Sequence, residues 1–147
     1  MKSVSIVIPS RTPALVERCI RSIEAHPSTL EREYIVVSNN PQMSADVHVS
    51  GLFNFSMMVN AGVARAKHSF VVLLNDDVIA LDTGWLEALS RHDVSGAVLL
   101  YPDKTVQHAG VVIGGGKGPV HIGMGEKRSP QLWPWLTTTR EVSAVTA

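Results

Sequence analysis

The sequence has a single cysteine, Cys19, so it can form neither an internal disulfide nor a cysteine-based zinc site, and the chain suits a reducing compartment. Neither sign of charge dominates. Thirteen Lys and Arg stand against thirteen Asp and Glu, which argues against a nucleic-acid footprint or a polybasic membrane patch. No apolar run reaches the roughly 18 residues of a membrane span; the strongest, Phe70-Val71-Val72-Leu73-Leu74, is strand length. The start, Met1-Lys2-Ser3-Val4, enters a proline-containing apolar segment rather than a signal peptide, so the expected location is the cytoplasm. Charged residues are scarce at 18% while apolar ones make up 45% of the 147 residues, a balance that excludes intrinsic disorder and fits one domain, 1–147. Internal repeats beyond strand–helix alternation, and low-complexity segments, are also lacking.

What is present alternates. Val4-Ser5-Ile6-Val7-Ile8 is short, β-branched and apolar, and Pro9 to Pro13 breaks it, so it reads as a buried strand. A helix follows, with Thr12 as its cap, Pro13 in its first turn, Leu15, Cys19, Ile20 and Ile23 on one face, and His26-Pro27 at its end. Tyr34 to Val37 is a second strand closed by Ser38-Asn39-Asn40-Pro41. A polar connection then leads to Ser56, the expected cap of a helix whose inner face carries Val59, Val63 and Ala66. Phe70 to Leu74 is a third strand, closed by Asn75-Asp76-Asp77. A helical stretch from Asp82-Thr83 with Trp85, Leu86 and Leu89 inward precedes a strand over Ala97 to Leu100. This alternation predicts an α/β fold, a mostly parallel sheet with right-handed crossovers and helices on both faces. Beyond Leu100, Tyr101-Pro102-Asp103-Lys104 predicts a turn and Thr105 to Ile113 a returning extended segment, hence a β-hairpin. Glycines at 110, 114, 115, 116, 118, 123 and 125 then mark a loop region with no helix, and Arg140 to Ala147 reads as strand-like.

Ligands of open parallel sheets sit outside the carboxyl ends of the strands. The three loops there carry Ser10-Arg11, Ser38-Asn39-Asn40 and Asn75-Asp76-Asp77, which gathers hydrogen-bonding and anionic groups on one edge. Asp76 and Asp77 are adjacent carboxylates that repel unless a cation or donors lie between them; Mg²⁺ or Mn²⁺, completed by water and the phosphate oxygens of a nucleotide, satisfies both. The plainer alternative is a solvated loop in which Asp77 caps a short turn. Gly114-Gly115-Gly116-Lys117-Gly118 lacks the Gly-Lys-Ser/Thr ending of a P-loop, and no dinucleotide-binding glycine pattern follows the first strand.

Val4 to Ser10, Ile35 to Asn40, Phe53-Asn54-Phe55-Ser56 with Asn60, Leu73 to Asp77 and Trp85-Leu86 together resemble glycosyltransferase family two, of the GT-A fold. Leu100 to Asp103, Gln107-His108-Ala109-Gly110 and Arg140 to Thr146 are similar to a bacterial subgroup linked to surface polysaccharides. The resemblance implies a GT-A fold ending in the hairpin and glycine-rich loop, and an enzyme that moves a sugar from a nucleotide-diphosphate donor to a glycan or related acceptor, usually with inversion. Asn75-Asp76-Asp77 stands at the family's DXD-type motif, making Asp77 the metal ligand and Asp76 a contact to metal or ribose. Pro9, Ser10, Arg11, Ser38, Asn39 and Asn40 flank base and ribose, with Asn54, Asn60 and Asn75 on the nucleotide side. Many family members have an acidic residue where Ser38 stands.

In the family, the segment after Thr146 is glycine-rich and contains the acidic general base. This chain stops at Ala147, which leaves Glu126 and Glu141 as the internal candidates. A noncatalytic module that binds a nucleotide sugar or a partner chain is the rival reading; a nucleotidyltransferase would want a glycine-rich basic loop after the first strand. His108 either touches a ligand or fixes a hairpin, His121 either approaches the metal or lies on the surface, and Cys19 belongs to the core. Trp133-Pro134-Trp135 either stacks on a sugar or, with Leu132 and Leu136, forms an interface through which copies self-associate.

Overall fold

A strand rich in apolar residues on both sides is stable only where both faces are covered, and β1 (Ser3–Pro9) is such a strand, buried from Val4 onward with Ser5 satisfied by Glu33. In the computed structural model, which describes residues 2–114, 116, 118–127, 129 and 131–146, β1 is central to a four-stranded sheet. It pairs in parallel with β2 (Glu31–Ser38) on one side. The helix α1 (Pro13–Glu24) connects the two strands in sequence. β2 pairs in parallel with β3 (Val47–His48), giving with the last strand the order β3-β2-β1-β4. That last strand, β4 (Phe70–Leu73), follows α2 (Phe55–Arg65) and lies parallel to β1 on its other side. The sheet is α/β and Rossmann-like, and it belongs to the first of two compact units, Met1–Ser90; the second is Arg91–Ala147.

Alternation along the strands sorts the core into two faces. Val4, Ile6, Ile8, Val36 and Val72 pack with Val16, Cys19 and Ile23 of α1 and with Leu86, whereas Val7, Ile35 and Val37 pack with Met58 of α2. Pro13 opens α1 as expected, but the Thr12 hydroxyl makes no capping bond. The start of α2 also differs from expectation. Asn54, not Ser56, is its cap, accepting from the Met57 N–H at 3.0 Å. Its buried face is Met58, Val59 and Gly62, while Val63 is exposed. Met57 to Ala64 is apolar nearly all round, so periodicity cannot choose a face; Gly62 chooses it, because a Cβ there would stand 2.3 Å from Val7 Cγ1. β3 lies within the segment read as a polar connection. Two residues carry no periodicity, and Asp46 pins them by accepting from Val36 N–H at 2.8 Å and returning its own N–H to Val36 O at 2.9 Å.

The helix expected from Asp82 is shorter: α3 (Trp85–Leu89) starts after Gly84, whose φ of 84° ends the preceding turn. Glu87 anchors it, since its Oε1 accepts from Ser28 Oγ and Thr29 N, both at 2.7 Å.

Within Arg91–Ala147 the ladders are short and antiparallel. Residues 97–100 do not join the parallel sheet; β5 (Leu99–Leu100) pairs with β6 (Val106–His108) around the expected turn, which Lys104 closes with a φ of 67°. The extended run predicted to reach Ile113 breaks at Gly110, where φ is 103° and a Cβ would lie 2.7 Å from Val142 Cγ1. β7 (Val111–Ile113) then pairs with β8 (Pro119–His121) across the glycine loop, of which Gly115 and Lys117 lie outside the described residues. Residues 140–146 are not a strand: an isolated bridge joins Ala144 to Val111. Ala147 lies outside the described residues.

The helix α4 (Leu132–Thr137) has no counterpart in the sequence reading. Ser129 Oγ accepts from Leu132 N at 3.1 Å and Pro134 falls within the first turn, which proline tolerates. α4 buries Leu136 and leaves Trp135 half-exposed. Among the described residues no helix is long and apolar enough to cross a membrane.

Candidate functional site

The chain runs from β1 outward to β2 and β3, then returns to the opposite side of β1 as β4. The strand order therefore reverses between β1 and β4, the topological switch at whose carboxyl edge open α/β sheets bind ligands in a crevice. Ser10 follows β1 and Asn75-Asp76-Asp77 follow β4, and the structure brings the two loops together: Ser10 Oγ donates to Asp76 Oδ2 at 2.5 Å. Ser10 is 2% exposed. Its N–H donates to Val37 O at 2.8 Å and its Oγ accepts from Thr12 N at 2.9 Å, so its polar groups are spent inside the protein.

Asp76 is half-buried and Asp77 exposed, and among the described residues neither is in an ion pair. Their charge reaches the core beneath. The Cys19 thiol is pushed up to about 11, first by burial and then by Asp76 and Asp77. A buried thiol held protonated is no nucleophile, which agrees with a packing role for Cys19. No group of three or more His, Cys, Asp or Glu side chains is clustered for a metal among the described residues. A divalent cation would find at most the two carboxylates here and would draw its remaining oxygens from diphosphate and water, the usual company of Mg²⁺.

After β2 the chain shapes a cavity of about 410 Å³, lined by Asn39, Pro41, His48, Val49, Ser50 and Gly51 and by none of Ser10, Asp76 or Asp77. Asn39 Nδ2 donates to Gly51 O at 3.0 Å, and Asn39 Oδ1 is a buried acceptor with no protein donor. The neighbours of Asn39 are occupied locally. Ser38 is fully buried, its Oγ accepting from Asn40 N at 3.1 Å, and Asn40 Oδ1 accepts from Gln42 N at 3.1 Å. Asn54 Oδ1 is spent on the α2 cap. Pro9 ends β1 and is buried, whereas Arg11 and Asn60 are exposed. His48, Val49 and Ser50 were missed in the sequence because nothing in a two-residue strand betrays it; Gly51, with φ 94°, was the one readable signal of a sharp turn there.

Glu126 and Glu141 belong to Arg91–Ala147, where both are exposed. His108 and His121 of the same unit meet, their Nδ1 atoms 3.0 Å apart. Arg140 stacks its guanidinium 3.9 Å from the Trp135 ring centroid, a cation–π contact.

An α/β sheet with polar and anionic groups gathered at its switch point does not by itself define one reaction. No protein-family model matches the chain. Two curated proteins are similar to it. One is the uncharacterised protein y4gI of Sinorhizobium fredii, 36% identical over 135 positions that take in 76% of this chain. The other is the O-antigen biosynthesis protein RfbC of Myxococcus xanthus, 33% identical over 132 positions, again 76% of this chain. The chain spans 15% of the length of the first and 10% of the second.

Proposed function

We propose that this chain is a nucleotide-sugar-binding domain of the GT-A type that serves glycosyl transfer in polysaccharide biosynthesis. The observation that carries the reading is the juxtaposition of Ser10 with Asp76 at the switch point; a cavity with an unpartnered buried acceptor follows β2, whose carboxyl end lies at the same sheet edge. Likeness to a protein named for O-antigen biosynthesis supports the polysaccharide context.

Each part of the edge has a task in this reading. Asn39 Oδ1 takes an N–H of the nucleobase, with Val49 and Pro41 against the ring. Asp76 and Asp77 are the residues that would hold Mn²⁺ or Mg²⁺ together with the donor diphosphate, and a cation bound there would supply positive charge against the departing phosphate. Ser10 keeps the Asp76 carboxylate turned into the crevice. Inverting transfer also needs a carboxylate within hydrogen-bond reach of the acceptor hydroxyl.

Calorimetry with a panel of nucleoside diphosphates tests the proposal. Binding should weaken by more than tenfold in excess EDTA, and Asp77→Ala should remove most of that dependence on Mn²⁺. Equal affinity with and without the cation would refute the metal-assisted site. Binding without any transfer, over a broad acceptor panel, would favour the noncatalytic module.

A further inference from the structure

His108 is 1% exposed, and each of its ring nitrogens has a partner. Nε2 faces two backbone donors, Gly110 N–H at 3.1 Å and Thr146 N–H at 3.3 Å. An imidazole nitrogen that receives N–H groups carries no proton, so the neutral ring has its hydrogen on Nδ1. That hydrogen points to His121 Nδ1, 3.0 Å away. His121 must then accept at Nδ1 and carry its own hydrogen on Nε2. The reverse arrangement would leave His108 without any proton, an imidazolate, so the hydrogen-bond network permits one pair of tautomers. The same logic removes the pair as a metal site, because His108 Nδ1 has no free lone pair.

Both remaining basic nitrogens are therefore acceptors in use. A third proton on His121 Nδ1 sets donor against donor across the 3.0 Å gap, and one on His108 Nε2 expels two backbone N–H groups. Among the described residues no carboxylate is hydrogen-bonded or ion-paired to either ring. Besides the pair itself, β5, β6, β7, β8, Gly110 and residues 142–146 contain no ionisable side chain. Glu126 and Lys127 approach β6 through main-chain pairing at Thr105 and Val106, and among the described residues the charge acting on His108 is that of His121.

We propose that His108 and His121 form an acid-sensitive latch, which ties the β5–β6 ladder to the β7–β8 ladder and to residues 144–146 while both rings are neutral, and releases them when the pair takes up a third proton. Histidine is suited to this because its ordinary titration falls between pH 5 and 8. The latch is independent of any nucleotide reading, since it uses no residue of the sheet edge.

Nitrogen-15 NMR of the full chain tests it. At pH 8 the His108 ring should show the Nδ1–H tautomer, the less common one, with His121 as Nε2–H. Between pH 7.5 and 5, protection of the Gly110 and Thr146 amides, corrected for intrinsic exchange, should fall at least tenfold while the amides of β1 keep theirs. His121→Asn offers Oδ1 as an acceptor that does not titrate, and should reduce the pH-dependent fall in protection at Gly110 and Thr146 to the part that a proton on His108 Nε2 alone causes. An Nε2–H tautomer for His108, or wild-type protection that does not change with pH, would overturn the latch. So would a His121→Asn variant that keeps the full pH dependence. Should that variant fail to fold, the wild-type tautomers and titration decide alone.

Discussion

In Met1–Ser90 the sheet buries apolar side chains on both faces, whereas in Arg91–Ala147 the buried apolar residues among those described are Val106, Val111 and Leu136. The second unit is ordered instead by close approaches and individual polar contacts. Added Cβ atoms at Gly96 and Gly110 would stand 2.5 Å from Val145 and 2.7 Å from Val142, and the His108 ring receives two main-chain N–H groups. Burial of apolar area does not titrate, and a hydrogen bond to an imidazole does. The two units should therefore answer differently to truncation, to crowding and to acid.

Truncation in the central strand should have the largest effect. Ile6 is fully buried in β1, and Ile6→Ala should cost about 2–5 kcal/mol, the usual range for emptying such a site, read as a shift of the denaturant midpoint. A cost below about 1 kcal/mol would mean that the sheet core is looser than its burial says. Crowding comes next. Gly62→Ala drives a methyl into Val7 and Val37 where α2 meets the sheet, and should cost about 1–3 kcal/mol. Gly110→Ala meets the same kind of obstacle in Val142 and adds a positive φ, so its cost should be at least as great. If Gly110→Ala is silent, close approach does not order the second unit.

The same contrast explains how much could be read in advance. β1, β2, β4 and α1 announce themselves because burial on two faces forces unbroken apolar runs and a helical stripe. β3 and α4 are too short to show a period, β5 is the end of the strand expected over residues 97–100 but lies in a separate antiparallel ladder, and the α2 face depends on where a glycine permits contact. At the sheet edge, the grouping of Ser10 with Asp76 follows from topology and was legible. That Ser38, Asn40 and Asn54 spend their side chains on local turns and a cap was not, because Ser and Asn can bond their own backbone or a ligand equally well. His108 and His121 lie 13 residues apart on strands of separate ladders, β6 and β8, so no strand pairing read from the sequence makes them neighbours.

Acid should sharpen the comparison at intermediate magnitude. Burial, and secondarily the charge of His121, lowers the His108 titration from its ordinary 6.5. The unfolded chain then binds the proton more readily, so this contribution is present above about pH 6.5 and is lost as pH falls below it. In Met1–Ser90, Glu33 is held at about 2, first by the Ser5 hydroxyl and then by the Lys67 N–H, and Glu87 at about 2, first by the Ser28 hydroxyl and then by the Thr29 N–H. Their contributions are complete above 4.5 and fade toward 2. Amide exchange followed from pH 7.5 downward should show Gly110 losing protection before β1 does. Simultaneous loss would show that one common event governs both units.

The smallest effect belongs to the surface. Glu17 and Arg21 form an i,i+4 ion pair on α1, yet their side chains are 70% and 74% exposed. Water screens such a pair, and holding two long side chains in one geometry offsets most of the attraction, so exposed helical pairs contribute about 0.3–0.5 kcal/mol. Glu17→Gln should stay within that range and leave the acid profile of Met1–Ser90 unchanged, because no buried hydroxyl or main-chain donor depends on Glu17. Glu87→Gln, by contrast, should blunt that profile by removing the carboxylate that Ser28 and Thr29 engage. Denaturant titrations of both variants at pH 7 and pH 3.5 compare them directly. If Glu17→Gln changes the acid response as much as Glu87→Gln does, the acid lability of the sheet unit is a matter of overall charge and not of carboxylates tied to the loop before β2.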